Sequence, residues 1–83
     1  MPYISRMRRA DIDAGDSDIE SAGELNYRIT CRLLDYIQYH KLSYQTINDV
    51  LGALEGCKQE FYRRVAVPYE ESKKRENGDV YPL

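Results

Sequence analysis

The stretch NDVLGALEGCKQEFYRR, Asn48–Arg64, decides how this chain is read. Its apolar residues Val50, Leu51, Leu54, Cys57 and Phe61 recur every three or four positions, and Ile47 and Val65 extend the series. That spacing predicts an amphipathic helix. Gly52 and Gly56 fall on the side away from the stripe, shared with Gln45, Gln59 and Arg63 and edged by Asp49 and Glu60. Each glycine costs roughly 1 kcal/mol against alanine in a helix interior. The pair is therefore either an unrewarded flaw on a solvated face or the floor of a groove. Small residues four apart let another backbone or a flat ligand approach closely, and Ala53 widens such a groove on one flank.

Upstream, Leu42 and Ser43 leave room only for a short connection, with Ser43 or Thr46 as N-cap of the helix that follows. Before it, Ala22, Leu25, Ile29, Leu33, Tyr36 and Ile37 form another helical stripe, opposed by Glu24, Arg28, Arg32 and Asp35. Ser17 with Glu20 offers a capping box, and Ser21 with Glu24 repeats it four residues on. The basic pair His40–Lys41 suits the helix C-terminus. Downstream, Pro68 is predicted to end the second helix, since it lacks an amide donor.

Two long helices joined by so short a turn fold back as an antiparallel hairpin. A lone hairpin buries each stripe on one side only. The expected fold is therefore all-α, a helical hairpin completing its core by homo-oligomerisation into a dimeric four-helix bundle or something larger. Residues 1–16 form an N-terminal arm, 17–67 the hairpin and 68–83 a charged tail. The arms are short, extended or helical. PYIS and DVYPL are β-prone, EESKKREN is highly charged, and Asn77–Gly78 reads as a turn or C-cap.

Composition narrows the function classes. Eighty-three residues make at most one domain, and a core that small usually needs disulfides, metals or partners. Cys31 and Cys57 are too few for a disulfide framework and lack a CxxC spacing, so they read as cytoplasmic thiols. No run of about 18 apolar residues exists to span a membrane, and MPYISRMRRADID lacks the apolar core of a secretion signal. The net charge of −2 hides segregation: +3 over residues 1–10, from Arg6, Arg8 and Arg9, against −6 over 11–24. That acidic block would repel a phosphate backbone, which makes duplex nucleic acid an unfavourable partner.

Several residues carry possible binding chemistry. Asn26 and Lys58 interrupt the two stripes, and in a hairpin turning near residue 42 Asn26 lies level with Gln59 and close to Lys58. They form either a polar layer that fixes register, with Lys58 snorkelling outward, or a grip on an anionic or carbonyl ligand. Eight tyrosines, with no tryptophan and one phenylalanine, are the strongest compositional anomaly. Tyr62 precedes Arg63 and Arg64, and Tyr27 precedes Arg28. A stacking face beside guanidinium forks suits a nucleotide; packing tyrosines beside solvated arginines are the plainer alternative. Enzymatic chemistry finds little support. His40 stands alone, neither cysteine has a base nearby in sequence, and no Gly-rich phosphate loop or metal-ligand cluster occurs. No cofactor is expected.

GELNYRIT, LSYQTINDVLGALEG, EFYRRVAVPYEESK and ENGDVYPL, in that order, resemble a family of small, functionally uncharacterised proteins of phages and bacterial genomes. The resemblance covers roughly residues 23–83, with the amino-terminal third matched mainly by its MPYI start. It implies action in the cytoplasm of an infected bacterium and carries over no catalytic residue. The expected function is therefore non-enzymatic: a homo-oligomeric phage protein that sequesters a nucleotide-type signal and so counters host defence. A protein-binding inhibitor or adaptor, acting on a host or phage protein through the glycine groove or the charged arms, is the alternative. A nucleic-acid accessory using Arg6, Arg8 and Arg9 ranks behind both.

Overall fold

A computed structural model describes residues 2–15 and 18–82. These form helices α1 (Arg6–Asp13), α2 (Ala22–His40) and α3 (Tyr44–Phe61), a π-turn (Tyr62–Ala66) and α4 (Val67–Asn77). No strand occurs among the described residues, so the chain is all-α and its β-prone ends are irregular. It divides into two compact units, Met1–Ile47 and Asn48–Leu83, each taken here by itself.

In the first unit α1 packs on α2. Its sequence, RMRRADID, has almost no apolar stripe, and the helix is held instead by its ends and one ionic tie. Ser5 Oγ accepts the Arg8 amide at 3.2 Å, satisfying one of the donors a helix start leaves open. At the other end Gly15 takes a left-handed φ of 77°, which glycine adopts without the Cβ penalty. The tie is Arg8 to Glu24: Nε donates to Oε2 at 2.9 Å and Nη2 to Oε1 at 2.6 Å. Beside this bidentate pair Glu20 Oε1 lies 3.4 Å and Asp11 Oδ2 3.6 Å from the guanidinium. The two opposed charge blocks of the sequence are therefore folded against each other.

Glu24 is buried, at 8% exposure. Its hydrogen bonds from Arg8 and from the Glu20 amide hold its carboxyl down at about 2, and the same contact raises the Arg8 guanidinium above its ordinary value. Around the tie, Arg28 Nη2 donates to the Ile12 carbonyl at 2.9 Å, and Tyr27 Oη shares its proton between the Asp13 carboxylate oxygens, each at 2.9 Å. Ile12 is the one apolar residue buried among those described, with 0% exposure.

Helix α2 begins at the second of the two capping signals. Ser21 Oγ accepts the Glu24 amide at 3.1 Å; Ser17, the other candidate cap, lies outside the described residues. The helix ends at His40, as the basic pair predicts. Its C-cap, Lys41, has φ 71° and ψ 148°, a conformation that side-chain-bearing residues rarely adopt. The connection is then closed by reciprocal capping: Thr46 donates its amide to Ser43 Oγ at 3.1 Å, and Ser43 donates its own to Thr46 Oγ1 at 2.9 Å. Thr46, at 7% exposure, is buried by this role.

The second unit corrects the reading of Pro68. The helical path of α3 does not stop there but runs on through the π-turn into α4. Pro68 has no amide to give and its ring crowds the carbonyl four residues back. The turn before it widens instead, with the Val67 amide donating to Tyr62 O, five residues back. Pro68 then sits in the first turn of α4, where a missing donor costs nothing. Helix α4 has no apolar stripe and is laced by Lys74–Glu71 and Lys73–Glu76 pairs, each 3.1 Å. Gly78, at φ 87°, caps it through its amide to Lys74 O at 2.8 Å. The charged tail is thus a helix with the C-cap expected at Asn77–Gly78.

Two outcomes follow. Because Glu24 titrates lower folded than unfolded, its contribution is complete above pH 4.5 and is lost as pH falls towards about 2. Glu24→Gln should lower the melting temperature at neutral pH and flatten the acid limb across that window, read by circular dichroism melts at stepped pH. Lys41→Gly should raise the melting temperature, since relieving about 1–3 kcal/mol of backbone strain outweighs the roughly 0.4–1 kcal/mol of added unfolded-chain freedom.

Candidate binding surface

Four of the residues singled out in the sequence meet at one place. Lys58, Gln59, Tyr62 and Arg63, with Glu55, line a shallow open depression of about 360 Å³ on the second unit. Helical spacing explains the grouping: residues 55, 58, 59, 62 and 63 are three and four apart, so their side chains share one face. The depression reaches the start of the π-turn, which carries Tyr62, Arg63 and Arg64. Such turns recur at functional sites. Tyr62 is 55% exposed, leaving its ring and hydroxyl open to a partner.

The charged groups here are already paired within the helix. Arg63 Nη2 lies 2.6 Å from Glu60 Oε2, and Arg64 Nη1 lies 3.6 Å from Glu60 Oε1. Lys58 Nζ is 3.9 Å from Glu55 Oε2, and Gln59 Nε2 donates to Glu55 Oε1 at 3.2 Å. The charged side chains of these pairs are all more than half exposed, so the ion pairs are weak and exchangeable. An incoming anion would compete with two glutamates for three cations. Glu55 is the lining residue that the sequence reading omitted. Its signal was its spacing of three and four from Lys58 and Gln59.

Gly56 lies about one turn before Gln59 on α3 and Gly52 about one turn before Gly56, and a Cβ built at either meets nothing within 4 Å. The glycine side is thus an open surface in the single chain.

The remaining candidates lie on α2. Tyr27 and Arg28 are taken up by α1, through Asp13 and the Ile12 carbonyl. The Arg9 guanidinium also sits 5.9 Å from the centre of the Tyr27 ring. Hydrogen bonding to Cys31 and to the Asp13 carboxylate pushes the Tyr27 hydroxyl well above its ordinary value, so it is held as a donor. Asn26 is exposed, and its Oδ1 accepts from Thr30 Oγ1 at 3.1 Å. Arg8 and Arg9, two of the three cations at the amino terminus, are likewise engaged, Arg9 Nε donating to the Ile4 carbonyl at 3.0 Å.

A second open depression of about 340 Å³ lies where the chain leaves α4, between Tyr69, Lys73 and Asn77 on the helix and Val80 beyond it. Among the described residues no group of three or more His, Cys, Asp or Glu side chains could hold a metal ion, and no helix is long and apolar enough to cross a membrane.

No curated protein and no solved structure matches the chain. A family model described as a domain of unknown function, DUF6899, matches residues 1–80, a span that includes all four helices. The chain belongs to the DUF6899 family.

Proposed function

We propose that this chain is a non-enzymatic, homo-oligomeric binding protein that captures an anionic nucleotide-type ligand on the surface formed by Lys58, Gln59, Tyr62 and Arg63. The grouping of those four side chains around one open depression carries the reading. Tyr62 offers a stacking face, Arg63 a fork for phosphate, and Gln59 a donor and acceptor for a base or sugar. Glu55 and Glu60 set a condition on the ligand. It has to carry enough negative charge to draw Lys58, Arg63 and Arg64 from their helical partners, which favours a phosphorylated compound over a neutral base. Together with the resemblance to phage proteins, this supports sequestration of a nucleotide-type signal that serves host defence, in the cytoplasm of an infected bacterium. Closure of the helical core by further copies of the chain belongs to the same proposal. Its support is the apolar stripe left open on α2 and on α3, with Leu25 52% and Leu51 58% exposed.

The alternative, an inhibitor or adaptor that grips another protein, rests on a different observation: among the described residues, a Cβ built at Gly52 or Gly56 meets nothing within 4 Å. A pull-down from infected cells separates the two, because a nucleotide sponge recovers no stoichiometric protein. A nucleic-acid accessory loses ground, since Arg8 and Arg9 are spent inside the first unit.

Titration calorimetry against a panel of cyclic and linear nucleotides tests the proposal. Binding tighter than the high micromolar range is expected for at least one phosphorylated compound, and none across the panel would overturn it. With the ligand found, Arg63→Ala should weaken binding by roughly 1.5–3 kcal/mol, as for a hydrogen bond to a charged group. The same change should leave stability within about 0.5 kcal/mol. The glycines divide the readings. Gly56→Ala should raise helix stability by roughly 1 kcal/mol in either case, because its methyl meets open space. Gly56→Leu should abolish binding only where the glycine side is part of the contact.

A further inference from the structure

We propose that Glu60 stands in for a phosphate: in the free chain its carboxylate occupies the Arg63–Arg64 pair, so that the surface admits nucleotides bearing a terminal phosphate and turns away cyclic ones. This rests on the nucleotide-capture reading above and adds the charged group of the ligand and the residue that selects it.

The placement of two guanidinium groups makes the first argument. Arg63 and Arg64 are neighbours in the π-turn, and each takes a different oxygen of the Glu60 carboxylate. Arg63 Nη2 lies 2.6 Å from Oε2, and Arg64 Nη1 lies 3.6 Å from Oε1. Two forks brought to one oxyanion suit a phosphate, because guanidinium geometry matches carboxylate and phosphate alike. Glu55, by comparison, holds Lys58 at 3.9 Å. Arg63 also lines the depression beside Tyr62, so a phosphate held by the pair leaves the rest of the nucleotide within reach of the Tyr62 ring.

Charge makes the second argument. The phosphodiester of a cyclic nucleotide carries a single negative charge, the same as the carboxylate it would displace. That exchange brings no electrostatic gain, and the displaced Glu60, tethered close by, repels the newcomer. A terminal phosphate carries about −1.5 to −2 at neutral pH and attracts the pair more strongly than the carboxylate does. The side chains of Glu60, Arg63 and Arg64 are 54%, 62% and 77% exposed, so their pairs are open to exchange. Glu60 therefore sets a threshold of ligand charge and does not block the surface.

Titration calorimetry at low salt reads the threshold, using nucleoside monophosphates with a terminal phosphate, their cyclic counterparts and the free nucleosides. In the wild type the terminal phosphates are expected to bind at least about tenfold tighter than the cyclic forms. Glu60→Gln should strengthen terminal-phosphate binding at least about threefold, bring the cyclic forms into measurable range and leave the nucleosides unchanged. Glu76→Gln removes the same charge from the far end of α4 and should change none of these. Arg64→Ala, outside the lining of the depression, should weaken terminal-phosphate binding at least about tenfold. All three positions are exposed, so circular dichroism melts of the variants should match that of the wild type. A wild type that binds none of the nucleotides would overturn the capture reading and this inference with it. Nucleotide binding that is indifferent to Glu60→Gln, or equal for terminal and cyclic phosphates, would overturn only the role of Glu60.

Discussion

The Arg8–Glu24 pair is the contact on which the first unit turns. Helix α1 has eight residues and one buried apolar side chain, Ile12, far short of what holds a short helix on hydrophobic burial alone. A bidentate guanidinium–carboxylate bond supplies geometric specificity that a single leucine would not, because two parallel hydrogen bonds fix orientation as well as distance. Glu24 also sits in the first turn of α2, where a negative charge complements the helix dipole, and it accepts the Glu20 amide just ahead of that turn. One side chain therefore anchors α1, organises the start of α2 and gathers Asp11 and Glu20 around one cation. Tyr27 and Arg28, a turn further on, complete the joint through Asp13 and Ile12, and are occupied by that task.

Pro68 exerts the corresponding control in the second unit. A proline within a helical path must either end it or be absorbed, and here a π-turn absorbs it. Tyr62, Arg63 and Arg64 fall within that turn, so the side chains best suited to bind a phosphorylated ligand project from the least regular part of the rod. The surface they share with Lys58 and Gln59 is open, and its cations are already paired with Glu55 and Glu60. It differs in this from a preformed anion pocket, whose cations would be unpaired. A ligand that binds here exchanges partners with those two carboxylates, which makes affinity sensitive to salt and to the ligand's charge.

How much of this the sequence determined varies with the range of the interaction. Local signals were enough for the helix class, for the end of α2 at His40, for the Ser43–Thr46 connection and for the stop at Gly78, because caps and periodicity act within four or five residues. That positions 58, 59, 62 and 63 share one helix face was also legible, by spacing alone. Two features were not. The opposed charge blocks at residues 6–9 and 11–24 read as mutual screening against phosphate, whereas folding spends Arg8 on Glu24, sixteen residues away. Periodicity cannot announce a contact of that range. Pro68 read as a terminator because the rule weighs one missing donor. Only the tertiary structure decided that widening a single turn satisfies the backbone and lets the helix continue.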